Sequence, residues 1–191
     1  MKRQTLILII IFSILAIDLP IMLAYQTSLL TLEFQNQEQT NTFNYLTNQE
    51  DLQVDFTLEE VSHLKDVKEL MRSLGYYFVF LLVVEIFIIV MIYQTDKKQL
   101  YKPFLYGGIT STSVLLLTLL WTVIDFNSIF TLFHQIFFQA GTWIFSQNNK
   151  IIQLFPIDFF FNTAKNIFIK SLAFSLGLIG LGLYLKKKIK K

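Results

Sequence analysis

His63 and His134 are the two histidines of this chain, and each stands among residues that could turn an imidazole to chemistry. His63 has Glu59 at i−4, Glu60 at i−3 and Asp66 at i+3. On a helix those spacings bring a carboxylate within reach of the ring. A carboxylate neighbour orients an imidazole and raises its basicity, as a general base requires. The plainer reading is a solvated helical histidine beside surface acids. His134 lies in "FTLFHQIFFQAGTW", with Phe130 at i−4, Phe137 at i+3 and Phe138 at i+4. The plainer reading there is an aromatic-belt residue with a polar tip at a membrane interface. Two histidines do not make a catalytic zinc site, which takes three protein ligands. No H-E-x-x-H, G-x-S-x-G or Walker pattern occurs. With no cysteine in the chain there is neither a thiol nucleophile nor a thiolate metal site, and the redox compartment stays open.

The elements that must position these rings are dominated by lipid-compatible runs. Hydrophobic residues make up 53% of the chain and charged residues 16%, against roughly a quarter charged in soluble domains. Four runs approach the ~20 residues that cross a bilayer as helix: Thr5–Tyr25, Leu74–Tyr93, Pro103–Ile124 and Ile167–Leu185. The first follows Lys2 and Arg3 like a signal peptide. It lacks a small-x-small cleavage site and runs on through Asp18 and Pro20, so a retained helix is expected. The expected fold is an all-α membrane protein with four transmembrane helices, forming a single membrane domain over residues 1–191. A small cap, residues 26–73 and 125–166, would be built of short strands and interfacial helices. Gly107-Gly108 reads as helix-packing material. No basic patch interleaved with aromatics suggests nucleic-acid binding.

Lys and Arg set the orientation. Lys2 and Arg3, then Lys97, Lys98 and Lys102, then Lys186–Lys188, Lys190 and Lys191 must share one side if there are four spans. That side is the cytoplasm, so both termini are expected inside and the cap outside. The loop 26–73, with nine acidic against three basic residues, suits the exterior. Both histidines then fall on the same face of the membrane.

Within the cap, Leu30, Leu32 and Phe34 alternate, as do Leu52, Val54 and Phe56, which predicts two short strands. Thr57 and Glu60 form a capping box, so a helix carrying His63 should start there and run toward the second span with Gly75 as a bend. Asn127 reads as the N-cap of the helix carrying His134, and Gly141 as its stop. A hairpin is expected over "WIFSQNNKIIQLFP". Pro156 and Asp158 then open a helix, in keeping with the helix dipole. Inside the spans, Asp18 and Lys170 lie at depths that would let them pair; the alternative is that they line a polar cavity. Glu85 is expected protonated or hydrogen-bonded between helices, as intramembrane carboxylates face a bundle interior or a wet cavity.

Three segments in order between four spans, "EEVSHLKDVK", "FTLFHQIFFQAGTWIF" and "IIQLFPIDFFF", resemble the bacterial lipoprotein intramolecular transacylase (Lit) family. Ser146 stands where family members often carry an aspartate, in W-x-F-D. The resemblance implies an acyltransferase of the bacterial cytoplasmic membrane, without cofactor, acting at the outer leaflet. Its substrate is a lipoprotein whose N-terminal cysteine bears a diacylglyceryl thioether and a free α-amine. The sn-2 acyl chain moves from glycerol to that amine, giving the lyso form. Two essential histidines of the family match His63 and His134.

The chemistry suits a chain without an activated nucleophile. An intramolecular transfer needs no acyl-enzyme, because acceptor and donor are already tethered, which is worth several kcal/mol. The amine, near ~7.7–8.0, must lose its proton, and the tetrahedral oxyanion must be stabilised. His63 is expected as the base, supported by Glu60 or Asp66, and His134 as the oxyanion donor in a dry aromatic pocket. Phe133, Phe137, Phe138, Trp143 and Phe155 are expected to line the acyl groove, with Asp158 in support. A monomer in contact with membrane lipid is expected. The competing readings are a non-catalytic membrane subunit or chaperone that binds lipoproteins or a transporter partner, and an intramembrane hydrolase.

Overall fold

A computed structural model describes residues 2–189, so Lys190 and Lys191 of the basic tail lie outside the described residues. Among the described residues eight α-helices follow in chain order: α1 (Arg3–Leu15), α2 (Asp18–Leu29), α3 (Gln37–Leu46), α4 (Leu58–Asp96), α5 (Tyr101–Ile124), α6 (Phe126–Phe137), α7 (Lys150–Leu154) and α8 (Ile157–Ile189). A 3₁₀ turn, Lys97–Gln99, joins α4 to α5. Four stretches of the described residues are long and apolar enough to cross a membrane: α1 with α2, α4 with the 3₁₀ turn, α5, and α8. The chain packs as two compact units. One comprises residues 1–30, 77–120 and 166–191, the other residues 31–76 and 121–165.

In the first unit, α1 and α2 are separated at Ala16 and Ile17. Pro20 explains the break: it has no N–H to give to the carbonyl of Ala16, and its ring crowds that carbonyl. Ile9, Phe12, Ala16, Ile88 and Ile92 form the core. Along α4 the buried positions Leu81, Glu85, Ile88 and Ile92 keep helical spacing, so Glu85 sits on the inward stripe. Asp18 accepts a hydrogen bond from the Tyr77 hydroxyl, and Lys170 Nζ donates to the Thr27 carbonyl at 3.3 Å, so the expected Asp18–Lys170 pair is replaced by other partners.

Small residues let α5 approach its neighbours. A Cβ added at Gly107 would lie 2.7 Å from Ala16 Cβ, at Gly108 2.8 Å from the Ile179 backbone nitrogen, and at Gly182 2.6 Å from the Leu105 backbone nitrogen. Backbone cannot rotate away as a side-chain tip can. Gly182→Leu is therefore expected to separate α5 from α8 and cost about 1–3 kcal/mol or more, as overpacking does. Thermal unfolding in detergent reads the effect. Gly177→Leu, whose added Cβ meets nothing within 4 Å, is the matched control and should unfold near the unsubstituted protein.

The second unit departs from expectation in its local structure. No strand occurs among the described residues. The segment expected to open with a strand leads instead into α3, whose N-cap Asn36 accepts from the Gln39 amide. The alternation at Leu52, Val54 and Phe56 is real, but these side chains pack on the helical cluster of Leu64, Ile151, Leu154 and Phe155. The backbone partner a strand would need is a side chain: Asn41 donates to the Asp51 carbonyl and accepts from the Gln53 amide. Alternation reports one-sided burial, and helices supplied the surface that was buried against.

Three further corrections concern the two ends of α6 and the segment that follows it. The N-cap of α6 is Asp125, whose carboxylate accepts from the Ser128 amide, not Asn127. Only Asp125 separates α5 from α6, so the earlier acceptor takes the first free amide. The helix ends at Phe137 with Phe138 extended, and Gly141 follows three residues later, in a turn with φ +86°. In place of the expected hairpin, residues 150–154 form α7. Asn149 precedes it, and its side-chain oxygen accepts from Ser146 N and Oγ at 2.9 and 2.8 Å.

Candidate active site

The capping box that starts α4 is formed: Thr57 N donates to Glu60 at 2.8 Å, and Glu60 N donates to Thr57 Oγ1 at 3.3 Å. The helix then runs unbroken through Gly75. Its 39 residues would extend roughly 58 Å at about 1.5 Å each, far beyond a ~30 Å hydrocarbon core. The apolar run Leu74–Tyr93 lies within this helix, and His63 stands about three turns ahead of that run.

Glu60 is 1% exposed, and it reaches across to α7 as well as to its own cap. Its second oxygen accepts from the Ile151 amide at 2.9 Å. Burial works to raise this carboxyl, but hydrogen bonds from Ile151, Thr57 and Asn149 outweigh it and hold the group below its ordinary range. Glu60 thus ties α4 to α7 and makes no hydrogen bond to His63. Asp66 acts on His63 through its charge alone. The expected hydrogen-bonded carboxylate partner of His63 is absent among the described residues: His63 Nδ1 is buried without one. Helical spacing permitted the contact, but Glu60 was drawn to unpaired amides at two helix starts.

The two imidazoles meet. Their ring centroids are 6.1 Å apart and the planes are stacked within 26°. His63 is 6% exposed and His134 8%. Phe138 touches both rings, at 4.9 Å from His63 and 5.3 Å from His134. Phe145 closes on His63 at 5.6 Å. Phe130, Phe133 and Trp143 surround His134 at 4.1, 5.5 and 4.9 Å. The left-handed backbone at Gly141 turns the chain after α6, and Thr142 N closes the turn on the Gln139 carbonyl, which returns Trp143 to His134. Leu132, Phe133, Ile136 and Phe137 remain exposed on α6, an apolar face suited to lipid rather than water.

His134 Nδ1 lies 2.7 Å from the Phe130 carbonyl oxygen. A carbonyl only accepts, so Nδ1 carries the proton and the neutral ring leaves Nε2 as a bare lone pair. His63 has the complementary need. A buried N–H without an acceptor is costlier than a bare lone pair, so its unpartnered Nδ1 is the unprotonated nitrogen and Nε2 carries the hydrogen. Burial, reinforced by nearby His134 and opposed by Asp66, pushes His63 down to about 4. Burial also lowers His134, against the Phe130 carbonyl, which favours the charged ring. Both rings are neutral at pH 7, one a proton acceptor and the other a donor.

Of the other expected site residues, Phe133, Phe138 and Trp143 gather at the histidines. Phe137 packs on Phe133 at 4.8 Å. Phe155 belongs to the core cluster with Leu64, Ile151 and Leu154. Asp158 is exposed in the first turn of α8. Phe145 and the Phe130 carbonyl were missed as site groups. Position i−4 to His134 pointed to Phe130 as a ring, but nothing local marks its carbonyl as the group that sets the tautomer. Among the described residues no group of three or more His, Cys, Asp or Glu side chains could hold a metal ion.

A family model described as lipoprotein intramolecular transacylase Lit matches residues 4–160. A relative from Aquifex aeolicus, described as an uncharacterized protein, is 27% identical over 135 residues, 71% of this chain; the match spans 60% of that relative's length. The fold is similar to the in meso structure of the membrane integral lipoprotein intramolecular transacylase Lit from Bacillus cereus. The TM-score is 0.83 at 21% identity, covering 100% of this chain and 99% of that one. A variant of that protein with a histidine-to-alanine mutation gives a TM-score of 0.77 at 18% identity, covering 98% and 96%.

Proposed function

Since the chain belongs to the lipoprotein intramolecular transacylase family, we propose that it moves the sn-2 acyl chain of a diacylglyceryl lipoprotein to the α-amine of the N-terminal cysteine. The observation that carries this reading is the meeting of two buried imidazoles, 6.1 Å apart, in an aromatic shell. Each ring can reach one ester group through a hydrogen bond of ~3 Å.

The tautomers support roles opposite to those expected from the sequence, and we assign His134 as the base and His63 as the oxyanion donor. The amine nitrogen attacks the sn-2 carbonyl carbon, forming the C–N bond and an oxyanion. His134 Nε2 takes the proton from that nitrogen, which becomes far more acidic once bonded to carbon. His63 Nε2–H donates to the oxyanion. When the carbonyl re-forms, the C–O bond to glycerol breaks, and His134 returns the proton to the leaving oxygen. An amide and a secondary hydroxyl result, with no acyl-enzyme and no water consumed. The surrounding phenylalanines supply a dry setting in which these bonds strengthen and hydrolysis is suppressed. The charge distribution supports a site on the outer face of the cytoplasmic membrane, with both termini inside. Nothing in the reaction calls for a second subunit.

Purified protein with a synthetic diacyl lipopeptide in detergent tests the reading. Transacylation is an isomerisation, so the intact mass stays constant while the free amine disappears and fragmentation shows an N-acylated cysteine. Released fatty acid would instead indicate a hydrolase, and unchanged lipopeptide a non-catalytic binder. The pH profile follows from the site. Falling pH removes first the free amine, below ~7.7–8.0, and then the acceptor nitrogen of His134, below its ordinary ~6.5. The log rate should therefore drop with slope one between about pH 7.5 and 6.5 and steepen only at lower pH. A slope of two already at pH 7 would contradict the lowered His134.

A further inference from the structure

The indole N–H of Trp143 is buried and has no acceptor among the described residues. Its ring lies 4.9 Å from that of His134, inclined at 41°. Indole nitrogen is a donor only. Leaving such a donor buried and unbonded is costly, so a native site that keeps one has a use for it. The shell around the histidines is otherwise phenylalanine: Phe130, Phe133, Phe138 and Phe145. Packing and dryness are met by those rings. What tryptophan adds to a phenylalanine shell is this one N–H. Gly141, with φ +86°, is the device that brings it back to His134.

We propose that Trp143 is a catalytic residue whose indole N–H donates to the sn-2 carbonyl oxygen as negative charge develops there, a second oxyanion donor beside His63. This rests on the transacylase reading above and deepens it. The acceptors a diacylglyceryl lipopeptide brings into an apolar site are its carbonyl oxygens. Among them, the reacting one alone gains a full charge, and a preorganised donor is worth most against that charge. Donor and acceptor need no protonation change on the indole, so the contribution holds across the working pH range.

Trp143→Phe tests it, together with replacement by benzothienylalanine, in which sulfur takes the place of the N–H and the shape is kept. Both are expected to lower kcat by roughly 10²–10³-fold, the loss for one oxyanion donor. KM and the thermal unfolding temperature should stay close to those of the unsubstituted protein. A lipopeptide analogue with a phosphonate at the sn-2 position, tetrahedral and anionic, should lose affinity by the same factor. An N-acetylated, unreactive diester lipopeptide should bind both forms alike. Full kcat in either variant, or a loss confined to KM, overturns the assignment while leaving the transacylase reading intact. Failure of the unsubstituted protein to isomerise the lipopeptide removes both.

Discussion

His134→Ala is expected to slow conversion of the lipopeptide by roughly 10²–10⁴-fold, the usual contribution of a general base. His63→Ala should cost roughly 10²–10³-fold, as for a lost oxyanion donor. The two positions separate on conservative replacement. Glutamine carries an amide N–H but no basic nitrogen. His63→Gln can still donate to the oxyanion and should recover a measurable part of the activity. His134→Gln cannot accept a proton and should be as slow as His134→Ala. Added imidazole should partly restore His134→Ala and do little for His63→Ala. The physical origin of the asymmetry is the Phe130 carbonyl, 2.7 Å from His134 Nδ1, because it commits that nitrogen to its proton. A recovery by glutamine at position 134 rather than 63 would return the roles to those expected from the sequence. Both variants need an unfolding control, since each ring is buried.

Glu60→Ala is expected to destabilise the protein by about 3–6 kcal/mol at pH 7, the sum for its two backbone hydrogen bonds to a buried charge. Thr57 N and Ile151 N each lose an acceptor, at the starts of α4 and α7. Glu60→Gln keeps the volume yet offers one acceptor where two donors converge, so its NH₂ would face an amide hydrogen. It should therefore recover only part of the loss. The pH dependence has a definite sign. Native hydrogen bonds hold the Glu60 carboxyl below its unfolded value. Its stabilisation is complete above the ordinary carboxylate range near ~4.3 and fades as pH falls through the lower native value. Unfolding curves of the unsubstituted and Glu60→Gln proteins should thus converge in strong acid. Curves that already coincide at pH 7 would show that the α4–α7 tie contributes nothing. Leu64, next to His63 in sequence, packs with Ile151 and Leu154, so loosening α7 should also lower the rate.

The resemblance read from three short segments already pointed to a transacylase with histidines at 63 and 134. What it could not supply was which atoms each ring would offer. Asp66 and Glu60 looked equivalent as partners by spacing, yet one acts only through its charge and the other is spent on helix starts. Phe155 looked like Phe138 in composition, yet it fills the core while Phe138 touches both imidazoles. Local pattern ranks neighbours by distance along the chain. Hydrogen bonds and ring contacts are instead awarded among all groups that folding brings together.

Apolar runs, the capping box at Thr57 and Glu60, and the helix opened after Pro156 were determined by the sequence alone, because each is set by interactions within a few residues of one another. Strand against helix at Leu52–Phe56 was decided by the tertiary structure, because alternation marks a buried face without naming what buries it. The tautomers of His63 and His134 were decided there too: a ring nitrogen takes or loses its proton according to the acceptor the fold sets against it.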